Sequence, residues 1–85
     1  MEEKEIGKVM DYFAKIGVVA IEVTGGEIKV GDNLHFRGYT TDFEEVVESM
    51  EIEHQDVQVA KPGDNVGIKV GEKVRRHDKV FKVIE

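Results

Sequence analysis

Short runs of alternating apolar and polar residues fill this chain, and a turn signal interrupts them at intervals of about 8–12 residues, the rhythm of strands rather than helices. The clearest run is Lys61-Pro62-Gly63-Asp64-Asn65-Val66-Gly67-Ile68-Lys69-Val70. Pro62 presets φ for the first central position of a tight turn and Gly63 supplies positive φ at the second. Val66, Ile68 and Val70 then alternate with Gly67 and Lys69, a half-buried strand. A related run upstream, Gly25-Gly26-Glu27-Ile28-Lys29-Val30-Gly31-Asp32, leads into Leu34 and Phe36.

The remaining segments read the same way. Ile6 to Phe13 predicts a first strand whose alternation falters at Val9-Met10 and Tyr12-Phe13, which calls for a bulge or strong bend. After a reversal at Ala14-Lys15, the stretch from Ile16 to Thr24 puts Val19, Ile21 and Val23 on one face and Val18, Ala20 and Glu22 on the other. Leu34 and Phe36 alternate with Asn33, His35 and Arg37. Phe43 to Glu53 carries two readings: Glu44, Glu45 and Glu48 favour a helix, while Val46, Val47 and the alternation of Met50 and Ile52 with Glu51 and Glu53 favour strand. Strand is preferred. Val57 and Val59 form a short edge, and a last strand runs from Lys79 to Ile84. Together these predict an all-β fold, a small closed antiparallel β-barrel of one domain spanning residues 1–85, in which closure removes sticky strand edges.

Size and charge narrow the picture. The 85 residues leave no room for a second core, and a chain this short buries about 60–65% of its unfolded surface. The absence of Cys excludes a disulfide framework and a thiolate metal site. With no apolar run of membrane-spanning length and an acidic N-terminus, the expectation is a soluble, cytoplasmic monomer. The net charge of −6 argues against a general nucleic-acid binder. That charge is uneven. Asp42 to Asp56 is purely acidic, whereas the last quarter is rich in Lys and Arg, so the two regions would steer partners differently.

Catalytic chemistry is not visible. There is no G-x-x-x-x-G-K-[ST] phosphate cradle, so GTP binding is not expected. Ser49 lacks an evident base and orienter. His35, His54 and His77 are too scattered for a metal motif. His35 is expected to face solvent, His54 to sit in an acidic solvated loop, and His77 in a turn. The reading is a non-enzymatic chain with no metal and no cofactor.

Gly26 to Asp32, Val47-Glu48-Ser49-Met50-Glu51-Ile52 and Pro62-Gly63-Asp64-Asn65-Val66-Gly67 resemble the second domain of translational GTPases, the small β-barrel of elongation factor Tu. The likeness runs from Gly7-Lys8-Val9 to Asp78-Lys79-Val80 and is nearest to the archaeal and eukaryotic type. In that family the barrel helps hold the aminoacylated 3′ end of tRNA. The resemblance carries contact positions onto Asp11, Phe13, Val18, Glu51 and, with a changed residue, His54. Met10 and Ala20 depart from the family pattern, the first hairpin is about two residues shorter, and Arg76-His77-Asp78 stands where a Gly-Asp turn is usual. His tolerates left-handed backbone better than most side chains, so that last change reads as conformational.

The functional expectation is a binding module docking on a protein or ribonucleoprotein partner through Asp11, Phe13, Val18, Glu51 and His54. Arg75 and Arg76 offer a second anchor. RNA binding would be weak, because few cations cluster and the acidic stretch repels phosphate. The rival reading is an accessory or regulatory subunit of a separately encoded enzyme, with no role in translation.

Overall fold

The structure is a computed structural model that describes residues 2–84. Among the described residues there are ten strands: β1 (Glu2–Phe13), β2 (Val18–Val23), β3 (Ile28–Lys29), β4 (Asn33–Arg37), β5 (Asp42–Val46), β6 (Met50–Ile52), β7 (Gln55–Val57), β8 (Val59–Ala60), β9 (Asn65–Lys69) and β10 (Lys79–Ile84). Eight form an antiparallel sheet in the order β5-β4-β10-β1-β2-β9-β6-β7, and β3 pairs with β8 in a separate ribbon. The helical reading of 43–53 is not realised. The segment is strand, interrupted at Val47–Ser49, because β5 pairs with β4 near one end of the sheet and β6 pairs with β9 near the other.

The expected closed barrel is corrected here: the sheet is open, with β5 and β7 as unpaired edges. Closure fails where the chain leaves β5. The Val47 N–H donates to the Asp32 carbonyl (2.9 Å), and the Val47 carbonyl accepts from Gly31 N–H (2.8 Å). Those main-chain groups are therefore committed to the turn before β4 and cannot extend a ladder to β7. The β3–β8 ribbon covers the core beside this gap, burying Ile28 and Ala60. Edge pairing is discouraged by other means: β7 has three residues, and β5 carries Asp42, Glu44 and Glu45.

Strand phase is set by one turn used three times. In Lys29-Val30-Gly31-Asp32, Lys61-Pro62-Gly63-Asp64 and Arg75-Arg76-His77-Asp78, the Asp N–H donates to the carbonyl of the first residue (3.0, 2.9 and 3.2 Å). The Asp carboxylate in turn accepts that first residue's N–H (2.8, 2.8 and 2.9 Å). The third position is left-handed in each: Gly31 at φ 99°, Gly63 at 97° and His77 at 74°. The conformational reading of His77 therefore holds. Two residues after each Asp comes a buried apolar side chain, Leu34, Val66 or Val80. Each turn thus starts a strand, β4, β9 or β10, in the phase that fills the core.

The core is built from faces that the alternation grouped together. Val19, Ile21 and Val23 of β2 meet Val66 and Ile68 of β9, while Leu34 and Phe36 of β4 lie beside Val80 of β10. Phe43 of β5 stacks on Phe36, centroids 5.1 Å apart. The central strand β1 pairs with both β10 and β2, and its register slips twice, between Glu5 and Gly7 on one side and between Val9 and Asp11 on the other. The second slip falls at Met10, in the region where the pattern called for a bulge.

Left-handed backbone costs about 1–2 kcal/mol for a residue with a side chain, and a β-branched one tolerates it least. His77→Gly should therefore raise the urea midpoint and His77→Val should lower it, read by equilibrium unfolding at constant pH. A lower midpoint for His77→Gly would contradict this account of the third turn.

Candidate functional site

The slip at Met10 decides which side chains reach the surface of β1. Were β1 regular, Val9, Asp11 and Phe13 would share the inward face. With Met10 as the extra residue, Asp11 stands opposite Ala20, Tyr12 opposite Val19 and Phe13 opposite Val18. Directly opposed residues share a face. Tyr12 therefore packs against the core, while Phe13 joins Val18 on the outer side.

On that outer face lies a groove of about 460 Å³. Its floor follows from register: Ala20 of β2 is paired with Gly67 of β9, which places two of the smallest side chains next to each other. Phe13, Ile16 and Val18 make one wall, with Phe13 49% and Ile16 62% exposed. The other wall is Ser49, Glu51, Glu53 and His54, and Lys69 lines the groove from β9. This wall stands apart because β6 pairs with β9 only at Met50↔Ile68 and Glu51↔Gly67. The chain then turns away through Glu53 and His54, both left-handed at φ 51° and 65°.

Four of the residues singled out from the sequence, Phe13, Val18, Glu51 and His54, are thus brought together on one groove. Asp11, Arg75 and Arg76 are not among its lining. Asp11 accepts the Tyr12 N–H at 2.8 Å and pairs with Arg76 Nη2 at 3.4 Å. Arg75 spends its main-chain N–H on the Asp78 turn, and its side chain is outside the groove. Ile16, Ala20, Gly67 and Lys69 are among the other residues that line it. The strict β2–β9 register behind Ala20 and Gly67 is long-range, so no local pattern marks them as neighbours. Ser49 and His54 share the groove, and among the described residues no hydrogen bond joins them or ties His54 to a carboxylate.

His35 departs from expectation. It does not simply face solvent: its Nδ1 is 2.6 Å from Glu3 Oε2 on β1, and its Nε2 is 2.5 Å from Asp42 Oδ1 on β5. Glu44, its cross-strand neighbour, accepts from Asn33 Nδ2 at 2.7 Å. Glu3, His35 and Glu44 each place a ligand-capable atom within 4.8 Å of the others, a grouping that sequence distance concealed. Both imidazole nitrogens are already engaged by carboxylates, so the arrangement is a clamp across β1, β4 and β5.

Burial of the ring opposes its charge, but the Asp42 and Glu3 hydrogen bonds outweigh that and raise the His35 pKa above 6.5. The His35 hydrogen bond holds the Asp42 carboxyl below its usual value of 3.8. A raised His pKa stabilises the fold fully below the unfolded value, and the gain is lost as pH rises through the folded value. A depressed Asp pKa does the reverse on the acid side. The clamp should therefore contribute most between about pH 4 and 6.5 and fade above that. Urea unfolding of the native chain against His35→Gln should show a stability difference that shrinks as pH rises above about 6.5; one that grows over that range would refute the clamp.

Comparison with known proteins fixes the family. Residues 17–80 match the family model described as elongation factor Tu domain 2, and the chain belongs to that family. Over 82 residues it is 43% identical to an uncharacterized protease of Methanocaldococcus jannaschii, covering 95% of this chain and 20% of that protein. It is 37% identical over 78 residues to a collagenase of Porphyromonas gingivalis, covering 91% of this chain and 22% of the relative. The chain thus spans about a fifth of the length of these curated relatives. Among solved structures, the C-terminal domain of a Geobacillus thermoleovorans protein described as a U32 peptidase superposes with a TM-score of 0.88 at 21% identity, covering 95% of this chain and 93% of that one. Its selenomethionine variant gives 0.85 at 21% identity, with coverages of 91% and 96%.

These relatives correct the assignment to translation. The resemblance identified the domain type, but the relatives bear protease and collagenase names, not those of elongation factors. The physical reason is that the shared strings are turns and strand starts, which encode a fold reused for unrelated tasks. β1, which carries Asp11 and Phe13, lies ahead of the matched residues.

Proposed function

We propose that this chain is a non-catalytic accessory domain that holds polypeptide for a peptidase unit. The observation that carries this reading is the 43% identity to the Methanocaldococcus protease across 95% of the chain. A domain equal to about a fifth of such a protein is fitted to hold or orient a substrate while the chemistry takes place elsewhere. The groove supports the reading. It is mainly apolar, open to solvent and floored by paired strands, the properties that suit an extended chain with side chains of alternating direction. Its two carboxylates and single lysine suit phosphate-rich ligands poorly.

The reading predicts binding without cleavage. Immobilised gelatin, a denatured polypeptide, should retain the purified chain, and the gelatin should remain intact on prolonged incubation. Aminoacylated tRNA at physiological salt should not be retained. Hydrolysis of the gelatin by the chain alone, or saturable tRNA binding that survives physiological salt, would overturn the proposal.

A further inference from the structure

The carboxylates of this domain fall into two groups. Glu3, Asp11, Glu22, Asp32 and Asp42 each have a basic or imidazole partner within 4 Å. Those with no such partner among the described residues include Glu5, Glu27 and Glu72 and, within one stretch of chain, Glu48, Glu51, Glu53 and Asp56, all exposed. Glu51 and Glu53 line the groove, and Glu48 and Asp56 belong to the same stretch of chain. Across from them stand the exposed rings and methyls of Phe13 and Ile16. An apolar surface and two carboxylates without an ion-pair partner among the described residues, Glu51 and Glu53, thus border one depression, whose floor is kept low by Ala20 and Gly67.

We propose that the groove selects polypeptide segments in which an apolar side chain is flanked by Lys or Arg. This rests on the polypeptide-holding reading above and adds its specificity. The apolar side chain would sit over Ala20 and Gly67 against Phe13, Ile16 and Val18. Successive side chains of an extended chain point to opposite sides, so an apolar side chain turned to the Phe13, Ile16 and Val18 wall puts its basic neighbours toward Glu51 and Glu53. A Lys or Arg stem can also lie along the apolar wall while its charged head meets the carboxylates. Lys69 lies on β9 and lines the same groove, where it disfavours a uniformly cationic ligand. The occupant is therefore mixed in character rather than simply basic.

The test uses three N-acetylated, C-amidated pentapeptides, Gly-Lys-Leu-Lys-Gly, Gly-Glu-Leu-Glu-Gly and Gly-Lys-Gly-Lys-Gly, titrated into the isotope-labelled chain at low salt. Amide shifts centred on Val18, Glu51 and Gly67 report occupancy. The Lys-Leu-Lys peptide should bind about two- to fivefold tighter than the Glu-Leu-Glu peptide, the size of one favourable exposed ion pair. That preference should shrink as salt shortens the Debye length below about 10 Å. The Lys-Gly-Lys peptide should bind more weakly than the Lys-Leu-Lys peptide. Glu51→Gln with Glu53→Gln should erase the charge preference but leave residual binding. Ala20→Phe, which fills the groove from the outer face, should abolish binding while the spectrum stays dispersed. Equal binding of the Lys-Leu-Lys and Glu-Leu-Glu peptides would overturn this specificity and leave polypeptide holding intact. No shift at the groove with any peptide, together with no retention on gelatin, would overturn both.

Discussion

One hydrogen-bonded device governs the phase of this sheet: a four-residue turn closed by an Asp that both donates to and accepts from the residue three places earlier. It occurs at Asp32, Asp64 and Asp78, and each copy launches a strand whose second residue is buried. A strand's inward set is decided by parity alone, so a slip of one residue would turn Leu34, Val66 or Val80 to solvent. Anchoring the first residue therefore anchors the face. In a domain of this size, where the core is small and each apolar side chain matters, that local constraint is worth more than the energy of its two hydrogen bonds.

The outer face gains its character from the same register. With β9 phased by Asp64, Gly67 falls beside Ala20; with β1 bulged at Met10, Phe13 falls beside Val18. A floor of small residues and an exposed aromatic wall result from these two local irregularities acting on one ladder. Bulges commonly re-aim a side chain in this way. Here the bulge keeps Tyr12 against the core and presents Phe13 to the groove. The open sheet follows from a third local commitment, the pairing of Val47 with Asp32 and Gly31, which leaves β5 as an edge that charge protects.

Much of this was legible in the residues. Alternation separated the two faces of β2 and marked the apolar faces of β4 and β9 because their periods are regular, and the faltering pattern around Val9-Met10 marked the bulge. The Pro-Gly turn was equally plain. Its two relatives were harder to see, since Arg75-Arg76-His77-Asp78 substitutes His for the expected Gly and Lys29-Val30-Gly31-Asp32 lacks the Pro. Closure of the sheet was over-read, because turn chemistry says which strands begin and not whether the first and last edges meet. The grouping of Phe13, Val18, Glu51 and His54 came from resemblance, whereas Ala20 opposite Gly67 and His35 between Glu3 and Asp42 are products of long-range pairing. The same resemblance named the fold and misled on function, since the strings it rests on build strands rather than chemistry.

Amide hydrogen exchange at the three turns tests the governing device most directly. The N–H groups of Lys61 and Arg75 lie in loops and that of Lys29 at the end of β3, yet each donates to an Asp carboxylate. The account predicts that all three are protected to a degree comparable with the first amides of the strands they precede, and that Asp64→Ala removes protection at Lys61 and weakens it at the start of β9. Exchange at Lys29, Lys61 and Arg75 as fast as in an unstructured chain would contradict it.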